Sequence, residues 1–310
     1  MKVSNRIDHN PESCLECDFE PAVSTFVDVG GTKLHFVSQG TGRPVVLIHG
    51  NPGSYRDWVR VFEPLSESYR AIAFDRPGHG LSDRPANISS LTIEKQAELL
   101  REGLNQIQVR QPILAGHSWG AALALVYALL FPGEVSGIAL LAPAVYESSD
   151  GVSFLSKLPA WPVVGDLLNF LFTPLLASWL VRTDLSKAFA PDEVPPNYLR
   201  HSLSEWTRPA KVKWYSVDDA LLNNSLKQFA PRYAELEVPI SVVTGDSDQI
   251  VPTNENALRF HETVTTSRLT ILENTGHQIP YTRPYAVLDA IDQVAQPDWS
   301  ARASLAIRSS

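Results

Sequence analysis

Cysteine is nearly missing from this chain. The two present, Cys14 and Cys17, form a lone C-x-x-C within the polar stretch MKVSNRIDHNPESCLECDFEP. No second pair completes a zinc site, and no strand-helix-strand context surrounds them as a redox dithiol would require, so neither a metal nor a redox role is expected. Basic residues are also in deficit: 26 Lys and Arg stand against 34 Asp and Glu, a net charge of −8. Nucleic acid and anionic membrane are held by clustered Lys and Arg, so neither is expected as a main partner. The first residues lack the apolar run of a secretory signal, which makes the cytoplasm the expected location and residues 1–24 a flexible extension.

Uninterrupted apolar runs are scarce too. The stretch WPVVGDLLNFLFTPLLASWLV, residues 161–181, has the length of a membrane span but carries Asp166, Asn169 and Pro174. An ionised Asp near a helix centre is costly in lipid, so no stable membrane insertion is expected, and apolar contacts must bury the segment instead.

What is present is an alternation of strand and helix signals, over a length of 310 residues that allows one large domain or two modest ones. Strand patterns cover Thr25 to Val29, Lys33 to Gln39 and Val45 to Ile48, the first two joined at Gly30-Gly31 as a hairpin. A helix pattern over 54–69, a strand over 70–75 and a helix over 91–109 follow. Then come an apolar strand over 112–115, an Ala- and Leu-rich helix over 121–131 and a strand over 135–143. From about Val145 to Leu236 only helical and irregular text appears. Strands over 238–245 and 267–274 and helices over 255–264 and 284–295 close the chain. This order predicts an α/β fold with a mostly parallel central sheet flanked by helices. Its core is split into 25–145 and 237–310 by a helical insertion over 146–236.

GHSWG, residues 116–120, lies at the junction of a strand and a helix. There a Gly-x-Ser-x-Gly has a mechanical meaning: the serine occupies a sharp, strained turn above the carboxyl edge of the sheet, and the glycines let strand and helix pack closely. Ser118 is the candidate nucleophile. The N–H of Trp119, at the start of the helix, is a candidate oxyanion donor. A serine needs a base held by an acid. Of eight histidines, His277 in ENTGHQIPY follows a predicted strand at the same edge, whereas His117 is expected to pack below the serine and His201 and His261 fall in helical text. For the acid, TGDSDQIVP offers Asp248, with Asp246 expected to shape the turn. The loop HGNPGS after the third strand supplies Asn51, whose backbone N–H is the second expected oxyanion donor.

These motifs, with FDRPGHGLSDRP at 74–85, resemble the α/β-hydrolase superfamily over roughly residues 25–298. The resemblance implies a triad of Ser118, Asp248 and His277, an oxyanion hole of Asn51 and Trp119, and a lid over the active site formed by 146–236. HGNP together with a tryptophan after the nucleophile is similar to haloalkane dehalogenases, in which Asn and Trp side chains hold the departing halide, and epoxide hydrolases are similar around the elbow. Both use an aspartate nucleophile. A serine displacing a group at an alkyl carbon would leave a stable ether, so the chemistry expected of Ser118 is acyl transfer. Proline iminopeptidases share a Ser-Trp-Gly elbow, but their usual HGGPG and DQRG are replaced here by HGNPG and DRPG.

The expected protein is therefore a serine hydrolase of a small to medium, largely apolar carboxylic ester, acting through an acyl-enzyme and needing no metal or organic cofactor. Amidase, aminopeptidase, lactonase, carbon-carbon bond hydrolase and cofactor-free haloperoxidase activities on the same triad stand as alternatives, as does a ligand-binding receptor on this scaffold. The acidic residues Asp184, Asp192, Glu193, Glu205, Asp218 and Asp219 of the insertion are expected mainly to face water, with selection of an amine as the other reading. No motif specifies the oligomeric state.

Overall fold

The computed structural model describes residues 23–85, 91–147, 164–296, 299 and 304–308, with the backbone alone for 164–175, 210 and 304–308. Cys14, Cys17 and the start of the apolar stretch at Trp161 lie outside the described residues.

Nine strands form one sheet in the order β1-β2-β4-β3-β5-β6-β7-β8-β9. They are β1 Val23–Val29, β2 Thr32–Gln39, β3 Pro44–Ile48, β4 Arg70–Phe74, β5 Ile113–His117, β6 Gly137–Leu141, β7 Ile240–Gly245, β8 Arg268–Leu272 and β9 Ser304–Arg308. Only the β1–β2 and β2–β4 pairs are antiparallel; the seven strands from β4 to β9 run parallel. Their carboxyl ends therefore share one edge, where ligands of open parallel sheets bind. β1 takes in Val23 and Ser24, ahead of the expected start at Thr25, because Val23 pairs with Ser38 and the Ser24 hydroxyl meets His35 Nε2 at 3.0 Å.

The apolar strands are buried on both faces, as a parallel sheet requires. Val46 and Ile48 of β3 pack with α2 (Ile93–Gln106) and α3 (Trp119–Leu130), while Val45 and Leu47 of the same strand pack with α1 (Val59–Ser66) on the other face. The helix signal over 54–69 resolves into a single tight turn, Tyr55–Trp58, and then α1. Ser54 Oγ accepts from Arg56 N–H and Asp57 Oδ2 accepts from Ser54 N–H, each at 3.2 Å, a reciprocal cap that starts the turn. Trp58 and Phe62 are fully buried beside it, each worth roughly 1.5–3 kcal/mol of apolar burial.

Between β6 and β7 the chain leaves the sheet and forms α4 (Val164–Phe189), α5 (Pro196–Trp206) and α6 (Pro209–Phe229). The carboxyl half of α4 seats Leu185 and Phe189 against Tyr198 and Trp206 of α5. One turn earlier the burial expected of the apolar stretch is not found: Leu176, Trp179 and Leu180 are 50%, 64% and 47% exposed. They lie at i, i+3 and i+4, so they share the face of α4 turned away from α5. The insert is tied to the sheet domain by polar bonds at the carboxyl edge. Tyr198 OH donates to Asp57 Oδ1 at 3.0 Å, and Lys211 Nζ donates to the carbonyls of Gly78 and Gly80 at 3.0 and 3.1 Å. After β8 come a short turn of helix, α8 (Ile279–Thr282), and α9 (Pro284–Ala295), which covers the same face as α1; the five residues Arg259–Thr263 form α7. Among the described residues no helix is long and apolar enough to cross a membrane.

Candidate active site

Ser118 sits where β5 turns into α3, at φ 53° and ψ −117°. A non-glycine residue there carries about 1–3 kcal/mol of strain and persists only because its surroundings over-determine it. The two glycines are part of those surroundings. A Cβ on Gly116 would run into the Gly120 carbonyl, and one on Gly120 into the Ile48 carbonyl, so strand and helix can approach this closely only without side chains. Ser118 N–H donates to the Leu141 carbonyl at 2.9 Å, and the Ser118 carbonyl accepts from Ala121 and Ala144. The Ser118 hydroxyl makes no hydrogen bond among the described residues, His277 included. Nucleophile and base often stand further apart than a hydrogen bond until substrate is seated.

His277 and Asp248 are brought together. They occupy the loops after β8 and β7, and His277 Nδ1 lies 2.7 Å from Asp248 Oδ2, both side chains being nearly inaccessible. Nδ1–H donates to the carboxylate, which leaves Nε2 as the basic atom. The other carboxylate oxygen, Oδ1, accepts from the N–H groups of Ile250 and Val251 at 2.8 and 2.9 Å. Burial pushes the Asp248 carboxyl up, but the His277 partner and these two N–H groups outweigh it and hold it below the usual carboxylate value. Asp246 braces the turn, as expected: its Oδ1 accepts from Ser247 Oγ at 2.8 Å and from Thr275 N–H at 3.4 Å.

His117 links the elbow to the base. Burial and the neighbouring His277 lower it to about 3, so the ring is neutral, and its Nε2–H donates to the His277 carbonyl at 2.9 Å. The two imidazoles stand 4.9 Å apart, which places His277 beside the Ser118 turn.

The loop after β3 lies against the elbow from the other side. A Cβ on Gly50 would come within 3.2 Å of the Ser118 Cβ. The backbone N–H groups of Asn51 and Trp119 have no acceptor among the described residues. For Trp119 this follows from its place in the first turn of α3. The Asn51 side chain is fully engaged: Nδ2 donates to the Tyr215 carbonyl at 2.9 Å and to Asp219 Oδ1 at 2.6 Å, and Oδ1 meets His79 Nε2 at 3.1 Å. An amide committed to a carboxylate cannot serve a halide, so the dehalogenase likeness of HGNP does not extend to this side chain.

Under this loop lies a buried cation that the sequence reading did not single out. The Arg76 guanidinium, 2% exposed, donates to Asp218 Oδ2 at 2.6 Å, Gln96 Oε1 at 3.1 Å and the Gly50 carbonyl at 2.9 Å. It stacks over the Trp119 ring at 3.9 Å. Asp218, expected to face water, is instead buried as its counter-charge; its other oxygen accepts from Gln96 Nε2 at 3.2 Å. Burial drives His49 and His79 well below the usual imidazole value, with the Arg76 charge next in effect, so both are neutral. Arg76→Ala is expected to destabilise the fold by about 3–5 kcal/mol, because Asp218 would be left buried and unpaired. Arg76→Lys is expected to recover only part of this, since one ammonium cannot reach three acceptors in a planar fork. Denaturant unfolding of both variants measures the difference. Among the described residues no group of three or more His, Cys, Asp or Glu is arranged to hold a metal ion.

A strained strand-to-helix elbow beside a His–carboxylate pair, at the carboxyl edge of a mostly parallel sheet, defines the hydrolase class to which such sheets belong. The particular family follows from sequence comparison: the family model described as alpha/beta hydrolase fold matches residues 43–284, and the chain belongs to that family. It is 26% identical to the 2-hydroxy-6-oxo-2,4-heptadienoate hydrolase of Pseudomonas putida over 263 residues, 83% of this chain and 90% of that one. It is 33% identical to bifunctional epoxide hydrolase 2 of Sus scrofa, over 141 residues that span 45% of this chain and only 25% of that protein. The structure superimposes on an esterase from Exiguobacterium antarcticum with a TM-score of 0.72 at 24% identity, covering 88% of this chain and all of the other.

Proposed function

We propose that the protein is a serine hydrolase of small to medium, largely apolar carboxylic esters. The observation that carries this reading is the 2.7 Å bond between His277 and Asp248 at the sheet edge where the strained Ser118 turn lies. Ser118 Oγ attacks the ester carbonyl as His277 Nε2 takes its proton, and Asp248 stabilises the imidazolium that forms. The N–H groups of Asn51 and Trp119 receive the negative charge that builds on the carbonyl oxygen. His277 returns the proton to the leaving alcohol, then activates the water that opens the acyl-enzyme. The insert over 146–236 acts as the lid, and its Leu- and Trp-rich text favours an apolar acyl or alcohol group. Although an epoxide hydrolase is among the relatives, a serine at the elbow suits acyl transfer, because an alkyl ether would not be released.

Initial rates on p-nitrophenyl esters from acetate to laurate test the substrate class. A chain-length optimum within the series is expected, and an absence of turnover on every member contradicts it. One further reading has specific support, the match to the Pseudomonas putida hydrolase along most of both chains. Cleavage of 2-hydroxy-6-oxo-2,4-heptadienoate without ester turnover would select carbon-carbon bond hydrolysis on the same three residues.

A further inference from the structure

The peptide between Gly50 and Asn51 is held by residues of the sheet domain that are themselves braced from outside it, by two adjacent residues of α6. It is trans, so its C=O and N–H point in opposite directions. The Gly50 carbonyl accepts from His49 Nδ1–H at 2.8 Å and from Arg76 at 2.9 Å, and Arg76 is in turn held by Asp218 at 2.6 Å. On the other side of the same peptide, the Asn51 side chain is held by Asp219 Oδ1 at 2.6 Å and the Tyr215 carbonyl at 2.9 Å. Anchoring the carbonyl fixes where the N–H points, and a cation on that carbonyl polarises the N–H into a stronger donor.

We propose that Asp218 and Asp219 are positioning residues for the oxyanion hole: Asp218 acts through Arg76 on the Gly50 carbonyl and Asp219 through the Asn51 side chain. The insert thus sets the catalytic geometry as well as covering the site. This rests on the proposed function, in which the Asn51 N–H receives the oxyanion. Donors of that kind act through placement in advance of the reaction, so a small misplacement costs rate rather than substrate affinity.

Asp219 is the member to test, since it is exposed whereas Asp218 is the sole buried counter-charge described for Arg76. Exposed as it is, its carboxyl is pushed up to about 7, by desolvation first and by the like charge of Asp218, against the Asn51 bond and Arg76. The groups that act on it are the Asn51 amide, Asp218 and Arg76, and the same amide meets the Tyr215 carbonyl and His79 Nε2. Below about pH 7 it is neutral and equivalent to an asparagine; above, the charged oxygen holds the amide more strongly.

The rate at which a fluorophosphonate modifies Ser118, followed by intact mass, reads the oxyanion hole without knowledge of the natural substrate. Asp219→Ala is expected to label about tenfold more slowly than wild type, at an unchanged Tm and with a KM for a p-nitrophenyl ester within about twofold. Asp219→Asn, which keeps a carbonyl for the Asn51 amide, is expected to fall between the two. The ratio of wild-type to Asp219→Asn rates is expected to rise from near one at pH 5.5 to its full value above pH 8, a trend that a purely structural residue does not produce. Equal labelling rates in wild type and Asp219→Ala overturn the inference and leave the hydrolase reading standing. An increase in KM alone overturns it in favour of direct substrate contact. If Asp219→Ala does not fold, a pH-independent ratio for Asp219→Asn overturns it. Wild-type protein that takes no adduct at Ser118 brings down the hydrolase reading and this inference together.

Discussion

Ser118→Ala is expected to lower ester turnover by roughly four to six orders of magnitude, the scale at which a serine nucleophile is removed from a complete triad. The loss is expected to fall on kcat rather than KM, because the hydroxyl acts on the reacting carbon and the groups proposed to hold the ester are left in place. The fold is expected to persist. Ser118 Oγ has no hydrogen-bond partner among the described residues, so its removal orphans no buried group. Alanine inherits the φ of 53° that serine already tolerates. Steady-state kinetics with Tm measured alongside checks both halves. Turnover retained within tenfold of wild type in a folded variant would remove Ser118 from the mechanism.

Asp248→Asn is expected to cost about 10⁴ in kcat, as replacing a triad acid by its amide does in serine proteases of another fold. The physical cause lies in the two oxygens. Oδ1 is occupied by the N–H groups of Ile250 and Val251, so an asparagine would keep its carbonyl there and turn its NH₂ toward His277 Nδ1. Nδ1 would then have to accept, Nε2 would carry the proton, and the base would face Ser118 in the wrong tautomer. Asp246→Asn is expected to stay within about tenfold of wild type, because that carboxylate touches Ser247 and Thr275 in the turn. The paired measurement is decisive: if Asp246→Asn proved the more damaging, the acid would be misassigned.

Much of the placement of the candidate site residues was legible because it is written in local chemistry. Two glycines around a serine at a strand end specify a turn that only close backbone approach permits, and the structure has that turn at Ser118. His277 and Asp248 could be chosen from many candidates because strands before them end at one edge, a constraint that secondary structure alone supplies. What was not legible depends on distance in the chain. Arg76 meets its counter-charge 142 residues away, and nothing local separates Asp218 from the acidic residues of a solvated helix face; the same text yields a buried Asp218 and an exposed Asp219. His117 was expected to pack below the serine, but its bond to the His277 carbonyl spans 160 residues and left no trace in the pattern. β9 was missed for a different reason. SLAIR is no shorter than β3 or β6, but it has only Leu305 and Ile307 as large apolar residues within the polar text WSARASLAIRSS, so its pairing with β8 at the sheet edge leaves no apolar run to read. The exposed Leu176, Trp179 and Leu180 mark the limit of composition as a guide: apolar text predicts burial, and here one face of α4 remains outward.

The central claim is that Ser118 is an activated acyl-accepting nucleophile. Intact mass after incubation with a fluorophosphonate, followed by peptide mapping, tests it most directly. A single adduct on Ser118, absent from Ser118→Ala and strongly slowed in Asp248→Asn, is the predicted result. An unmodified folded protein, or an adduct that persists in Ser118→Ala, would contradict it.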